Sequence, residues 1–92
     1  PGTGPSERQL NTATFWVRFT GEGGGRRVVC EVAGGEPGYR ETSRMLAESA
    51  LSLAYDELPE TAGQVTTAQA MGPALRERLD RSGMTFRVLE QT

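Results

Sequence analysis

The residues best placed to do chemistry in this 92-residue sequence are Gly34-Gly35-Glu36-Pro37-Gly38-Tyr39. Glycines ahead of a helix free backbone N–H groups and point the positive end of the helix dipole toward a ligand. Tyr39 can donate a proton or a hydrogen bond at a carbonyl. Gly38, Tyr39 and Thr42 are therefore the candidate substrate-cleft residues. The same stretch also serves simply to turn a strand into a helix, and both readings stay open. Gly21-Glu22-Gly23-Gly24-Gly25 invites comparison with a nucleotide loop, but the spacing puts Arg26 where the next glycine belongs, and the loop joins two strands. It reads as a hairpin turn. Asp56, Glu57 and Glu60 cluster at a helix C-terminus without His or Cys nearby, which makes a poor metal site and reads as solvated surface. Cys30 lies on the apolar side of a strand and reads as a small buried hydrophobe. Trp16 and Arg18, with Arg26 and Arg27, suggest base stacking and phosphate contact.

Composition sets limits on these readings. The net charge is −2 and the pI near 5.1, which argues against a nucleic-acid module and makes Trp16 a better contact for another domain or subunit. There is no His, so no Ser-His-Asp triad or His-ligated metal centre forms within the chain. No catalytic residue and no metal ligand is assigned. No apolar run approaches a spanning helix, and a single Cys fits a reducing, cytoplasmic compartment. All ten basic residues are Arg and Ile is absent, a bias consistent with GC-rich coding. Residues 1–12 read as a linker and residues 13–92 as the folded unit, the C-terminal piece of a longer protein.

The elements that must position these residues follow from periodicity. Phe15 to Thr20 alternates Phe15, Val17 and Phe19 against Trp16, Arg18 and Thr20, and Arg26 to Val32 alternates likewise. Two strands around a five-residue glycine loop predict a β-hairpin. From Tyr39 to Leu58 the period becomes helical, with a polar stripe at Glu41, Arg44, Glu48 and Ser52. Glu41–Arg44 and Arg44–Glu48 can pair along it. The apolar arc is too wide for a helix lying on one sheet with its back in water, so something covers its second side.

Thr66-x-x-Gln69 is a capping box that starts a second helix, burying Ala68, Met71, Leu75 and Leu79. Pro73 within it predicts a kink or restart, and Gly83 a stop. Met84 to Leu89 alternates as a last strand. The order β-β-α-α-β predicts an α+β fold, with two helices layered on a small antiparallel or mixed sheet.

The string Gly38-Tyr39-x-x-Thr42-x-x-Met45, Leu58-Pro59, Gly63-x-Val65-Thr66, Ala70-Met71-Gly72, Leu75, Arg78-Leu79, Gly83, Phe86 and Val88 resembles the C-terminal end of the saccharopine dehydrogenase-like oxidoreductases. The subgroup nearest in pattern includes the trans-acting enoyl reductases that serve lipid-assembly pathways. The resemblance spans residues 4–89, and Thr67 departs from it where relatives often carry Pro. It implies that the chain is the non-Rossmann module of an NAD(P)-dependent oxidoreductase, supplying packing or a wall of the substrate cleft and inactive alone. NAD(P) would sit in an N-terminal Rossmann domain outside this sequence, which is also the expected partner. The other reading is a non-catalytic interaction or dimerisation module. In either case the wide apolar arc predicts that the isolated chain forms a homodimer, through helix faces or strand edges.

Overall fold

The computed structural model describes residues 4–92, so the first three residues of the linker-like segment lie outside it. A six-residue helix, α1 (Glu7–Thr12), occupies much of the rest of that segment. Its start is a capping box: Gln9 N donates to Ser6 Oγ at 3.2 Å, and Ser6 N donates to Gln9 Oε1 at 2.8 Å. This Ser-x-x-Gln signal is readable in the sequence but is masked by the Gly and Pro beside it.

Strands β1 (Phe15–Gly23) and β2 (Arg26–Gly34) pair antiparallel from Phe15↔Gly34 to Gly23↔Arg26. The turn between them is two residues, not five. Gly24 and Gly25 have φ of 56° and 76°, as a type I′ turn requires, so Gly21 to Gly23 stay in the ladder. Strand β3 (Thr85–Gln91) pairs antiparallel with β2 and completes a three-stranded sheet in the order β1-β2-β3. An irregularity at Val29/Cys30 leaves Leu89 without a partner on β2. The fold is α+β, and its sheet is wholly antiparallel.

The chain between β2 and β3 forms α2 (Arg40–Tyr55), α3 (Thr67–Met71) and α4 (Pro73–Arg81). Helix α2 ends before Pro59 because Asp56 is already extended. The expected restart occurs at Gly72, with φ of 53°, and Pro73 is the first residue of α4, where its missing N–H costs nothing. Only half of the Thr66 box forms: Gln69 N donates to Thr66 Oγ1 at 3.1 Å. Gly83 follows α4 with φ of 116°.

Helix α2 packs on α3 and α4, while α4 touches β3. The core is correspondingly small: Met71, Leu79 and Met84 are its buried hydrophobics, Leu75 is half-buried, and Ala68 is exposed. Helix α2 lies inside out relative to its expected orientation. Glu41 and Ser52 of its polar stripe are buried, whereas Leu46 and Leu53 are 72% and 60% exposed. Among the described residues no helix is long and apolar enough to cross a membrane.

Candidate functional site

The strand-to-helix junction places Gly38 and Tyr39 in the turn ahead of α2, with Tyr39 as its N-cap, and Thr42 in the first turn of the helix. The helix N-terminus is occupied by the protein itself. The Glu36 carboxylate accepts from Gly38 N at 2.7 Å, Tyr39 N at 2.7 Å and Arg40 N at 3.0 Å. Desolvation works against its charge, but the Arg40, Tyr39 and Gly38 amides outweigh it and hold the carboxyl below its ordinary value. Thr42 Oγ1 donates to the Pro37 carbonyl. The positive helix end therefore carries an internal anion and offers no vacant oxyanion hole. Tyr39 is exposed, with its ring near Gly4, and remains the member of the trio that can reach a ligand. The signal for Glu36 was an acidic residue just ahead of a helix; the glycines around it suggested an external ligand instead.

Behind this turn a polar seam joins α2 to α4. The buried Glu41 carboxylate pairs through Oε1 with Arg44 at 2.9 Å, while its Oε2 has no partner. Arg44 also donates to the Ser82 carbonyl at 2.9 Å, tying α2 to the end of α4. Glu48 pairs not with Arg44 but with Arg78 across the helix interface, at 3.4 Å. Arg78 also grips Asp56, so Asp56 is part of this seam, while Glu57 and Glu60 remain exposed.

The two sheet faces differ in character. One carries the rows Val17–Val32–Phe86 and Phe19–Cys30–Val88, placed by the register. Helix α4 approaches this face at Phe86, where Ala68, Leu75, Arg76, Leu79 and Phe86 line an apolar groove of about 310 Å3. Away from Phe86 the face is open on both edge strands, with Phe19 of β1 and Val88 of β3 more than half exposed and Cys30 half-buried. The opposite face carries Arg18–Glu31–Arg87 in register. Glu31 is buried between the two guanidinium groups, at 3.0 Å from Arg18 and 2.8 Å from Arg87, and these hydrogen bonds lower its pKa. The Arg18 guanidinium stacks over Trp16 at 4.7 Å. Trp16 and Arg18 are thus tied into the sheet, and Glu31 neutralises part of the charge a phosphate would need.

Neither glycine-rich stretch fits a dinucleotide pyrophosphate. Gly24-Gly25 turns strand into strand, and the α2 N-terminus holds the Glu36 carboxylate. Among the described residues no group of three His, Cys, Asp or Glu is arranged to hold a metal ion. What the arrangement can offer chemically is an apolar groove and wall, an exposed tyrosine hydroxyl and rigid polar seams behind them.

No family model matches the chain, and no solved structure matches it. Curated proteins do. A Mycobacterium tuberculosis protein named as a candidate trans-acting enoyl reductase is 39% identical over 90 residues, 94% of this chain and 22% of its own length. The trans-acting enoyl reductase of Mycobacterium ulcerans is 37% identical over 87 residues, 91% of this chain and 21% of its own. That of Mycobacterium bovis is 37% identical over 89 residues, 94% of this chain and 21% of its own. The chain thus spans about a fifth of the length of the curated relatives it matches, and over nearly all of its own length it is similar to trans-acting enoyl reductases.

Proposed function

We propose that this chain is the non-Rossmann, C-terminal module of an NAD(P)-dependent, saccharopine dehydrogenase-like reductase of the enoyl reductase type, cytoplasmic and inactive alone. The observation that carries this reading is the 37–39% identity, over 91–94% of the chain, to proteins named for enoyl reduction. The cofactor would supply the hydride from a Rossmann domain elsewhere in the polypeptide. This module supplies wall and support. The open sheet rows at Val17, Phe19 and Val88 take the packing of that domain, and the first turn of α2, with Gly38, Tyr39 and Thr42, borders the substrate cleft. Glu36 keeps that turn helical without presenting a vacant anion site.

The test is cofactor titration of a polypeptide of the relatives' length that carries this sequence, beside the 92-residue chain alone. The long protein is expected to bind NADPH or NADH and to oxidise it with an α,β-unsaturated acyl thioester, while the short chain does neither. No cofactor binding by the long protein at millimolar concentration overturns the reading.

A further inference from the structure

The outer edge of β1 is an unfinished ladder. A two-residue turn closes on a hydrogen-bonded pair, here Gly23 and Arg26, and bonded and non-bonded pairs then alternate along an antiparallel hairpin. Phe15, Val17, Phe19, Gly21 and Gly23 therefore direct their backbone groups to β2. The N–H and C=O of Trp16, Arg18, Thr20 and Glu22 point the other way. Arg27, opposite Glu22, has the matching phase, since its own N–H and C=O turn to Thr92 beside β3. Among the described residues no backbone group pairs with the four outward positions of β1. The edge also lacks what keeps an exposed strand from pairing, namely Lys, Pro, bulges or a very short strand. Strand β1 runs nine residues in regular register with neither Lys nor Pro. Its two charges are drawn back onto β2, Arg18 to Glu31 at 3.0 Å and Glu22 toward Arg27 at 4.0 Å. Trp16 is exposed on one face of the strand and Phe19 on the other. Helix α4 meets the sheet at β3, and the radius of gyration is 15.8 Å, against about 12 Å for a compact domain of this length. The β1–β2 hairpin stands out as an arm.

We propose that β1 is an interior strand in the whole protein, its outer edge paired with a β-strand of the same polypeptide that lies outside these 92 residues. The chemistry of the edge selects that occupant. Donors and acceptors repeat at every second residue along it, and an extended segment is what meets them in step. A helix cannot, because its backbone groups are bonded internally. The chain spans about a fifth of the length of the relatives it matches, so most of a polypeptide of that length is available to supply the strand. A strand tethered in the same polypeptide also meets the edge at a high effective concentration, which a second copy does not. The added strand carries both faces of the sheet onward, setting one side chain beside Trp16 and another, on the opposite face, beside Phe19. The inference is independent of the reductase reading, since it uses the backbone and the relatives' length alone.

The experiment is residue-resolved hydrogen exchange on a polypeptide of the relatives' length that carries this sequence, with its mass followed by light scattering over a dilution series. The inward amides of Val17, Phe19 and Gly21 are the internal reference for a folded hairpin. The expected result is that the outward amides of Arg18, Thr20 and Glu22 exchange within about tenfold of that reference at every concentration. Outward amides that exchange faster than this overturn the proposal, since a covering loop or domain that makes no ladder leaves them fast. Protection that falls away as a dimer dilutes to monomer also overturns it and assigns the edge to a second copy. Titrating NADPH into the same sample keeps the two readings apart: protection without cofactor binding sinks the reductase alone, and binding without protection sinks the added strand alone.

Discussion

Arg78 holds Asp56 bidentately: Nε donates to Oδ2 at 2.6 Å and Nη2 to Oδ1 at 2.8 Å, joining the middle of α4 to the residue that ends α2. With Glu48 on the same guanidinium, one side chain fixes both the angle and the end of α2. Arg78→Ala leaves the Glu48 and Asp56 carboxylates of α2 without their cation in a part-buried interface. The melting temperature should fall by roughly 4–8 °C, the response of a domain this size to the loss of one strong polar link. Arg78→Lys should recover only part of it, because an ammonium cannot bind in the same two-pronged way. Full recovery by Lys would show that charge alone matters there.

The same pair sets an acid dependence. The Arg78 hydrogen bonds lower Asp56 from 3.8 to about 2 against the desolvation that opposes them. The unfolded chain then binds more protons than the folded one in that interval. Stability is fully present above pH 3.8 and is lost as the pH falls toward 2. Glu31 between its two arginines and Glu36 under its three amides are depressed too, and act in the same direction. Thermal melts from pH 7 down to 2 should show a steep acid limb. In Asp56→Asn the melting temperature at pH 7 is lower and the acid limb shallower. An unchanged limb in that variant would remove Asp56 from the account.

Glu36 organises the first turn of α2 from outside the helix, since Tyr39 at the cap position supplies no side-chain bond of its own. Glu36→Ala should speed hydrogen exchange at the Gly38, Tyr39 and Arg40 amides by at least about tenfold, while amides near Leu53 stay protected. Uniform protection along α2 would mean that the turn is held by its tertiary contacts alone.

The strands, the β-β-α-α-β order and the Pro73 restart were legible because each rests on local signals: period two, period 3.6, and a residue that cannot donate. The direction in which α2 faces was not. A polar stripe of Glu41, Arg44, Glu48 and Ser52 ordinarily marks the solvent side, and nothing local says that Arg78 and the Ser82 carbonyl wait for it on α4. Glu31 was hidden for a similar reason. Its two arginines come from strands 13 and 56 residues away in sequence, and only the register sets them opposite it. At the candidate site, Gly38 and Tyr39 lie in the turn ahead of α2 and Thr42 in its first turn, neighbours because they are close in sequence. The glycines suggested an empty anion site, and the neighbouring glutamate had already filled it.

Two glycines of the hairpin should respond oppositely to alanine, and the difference tests how β2 meets α2. A Cβ at Gly34 would stand 2.8 Å from Phe15 Cε1 and 2.9 Å from Glu41 Oε2. Neither neighbour moves freely: Phe15 is the residue paired with Gly34 across the hairpin, and the Glu41 carboxylate is buried and tied to Arg44. Gly34→Ala should therefore cost about 1–3 kcal/mol, as overpacking does. Gly21 lies within β1 opposite Val28, has no positive φ, and a Cβ there meets nothing within 4 Å. At such a position alanine restricts the unfolded chain without straining the folded one, so Gly21→Ala should stabilise by about 0.4–1 kcal/mol. Urea unfolding of the two variants side by side reads the contrast. Equal midpoints would mean that the strand end yields around Gly34 and that the close approach of Glu41 does not constrain it.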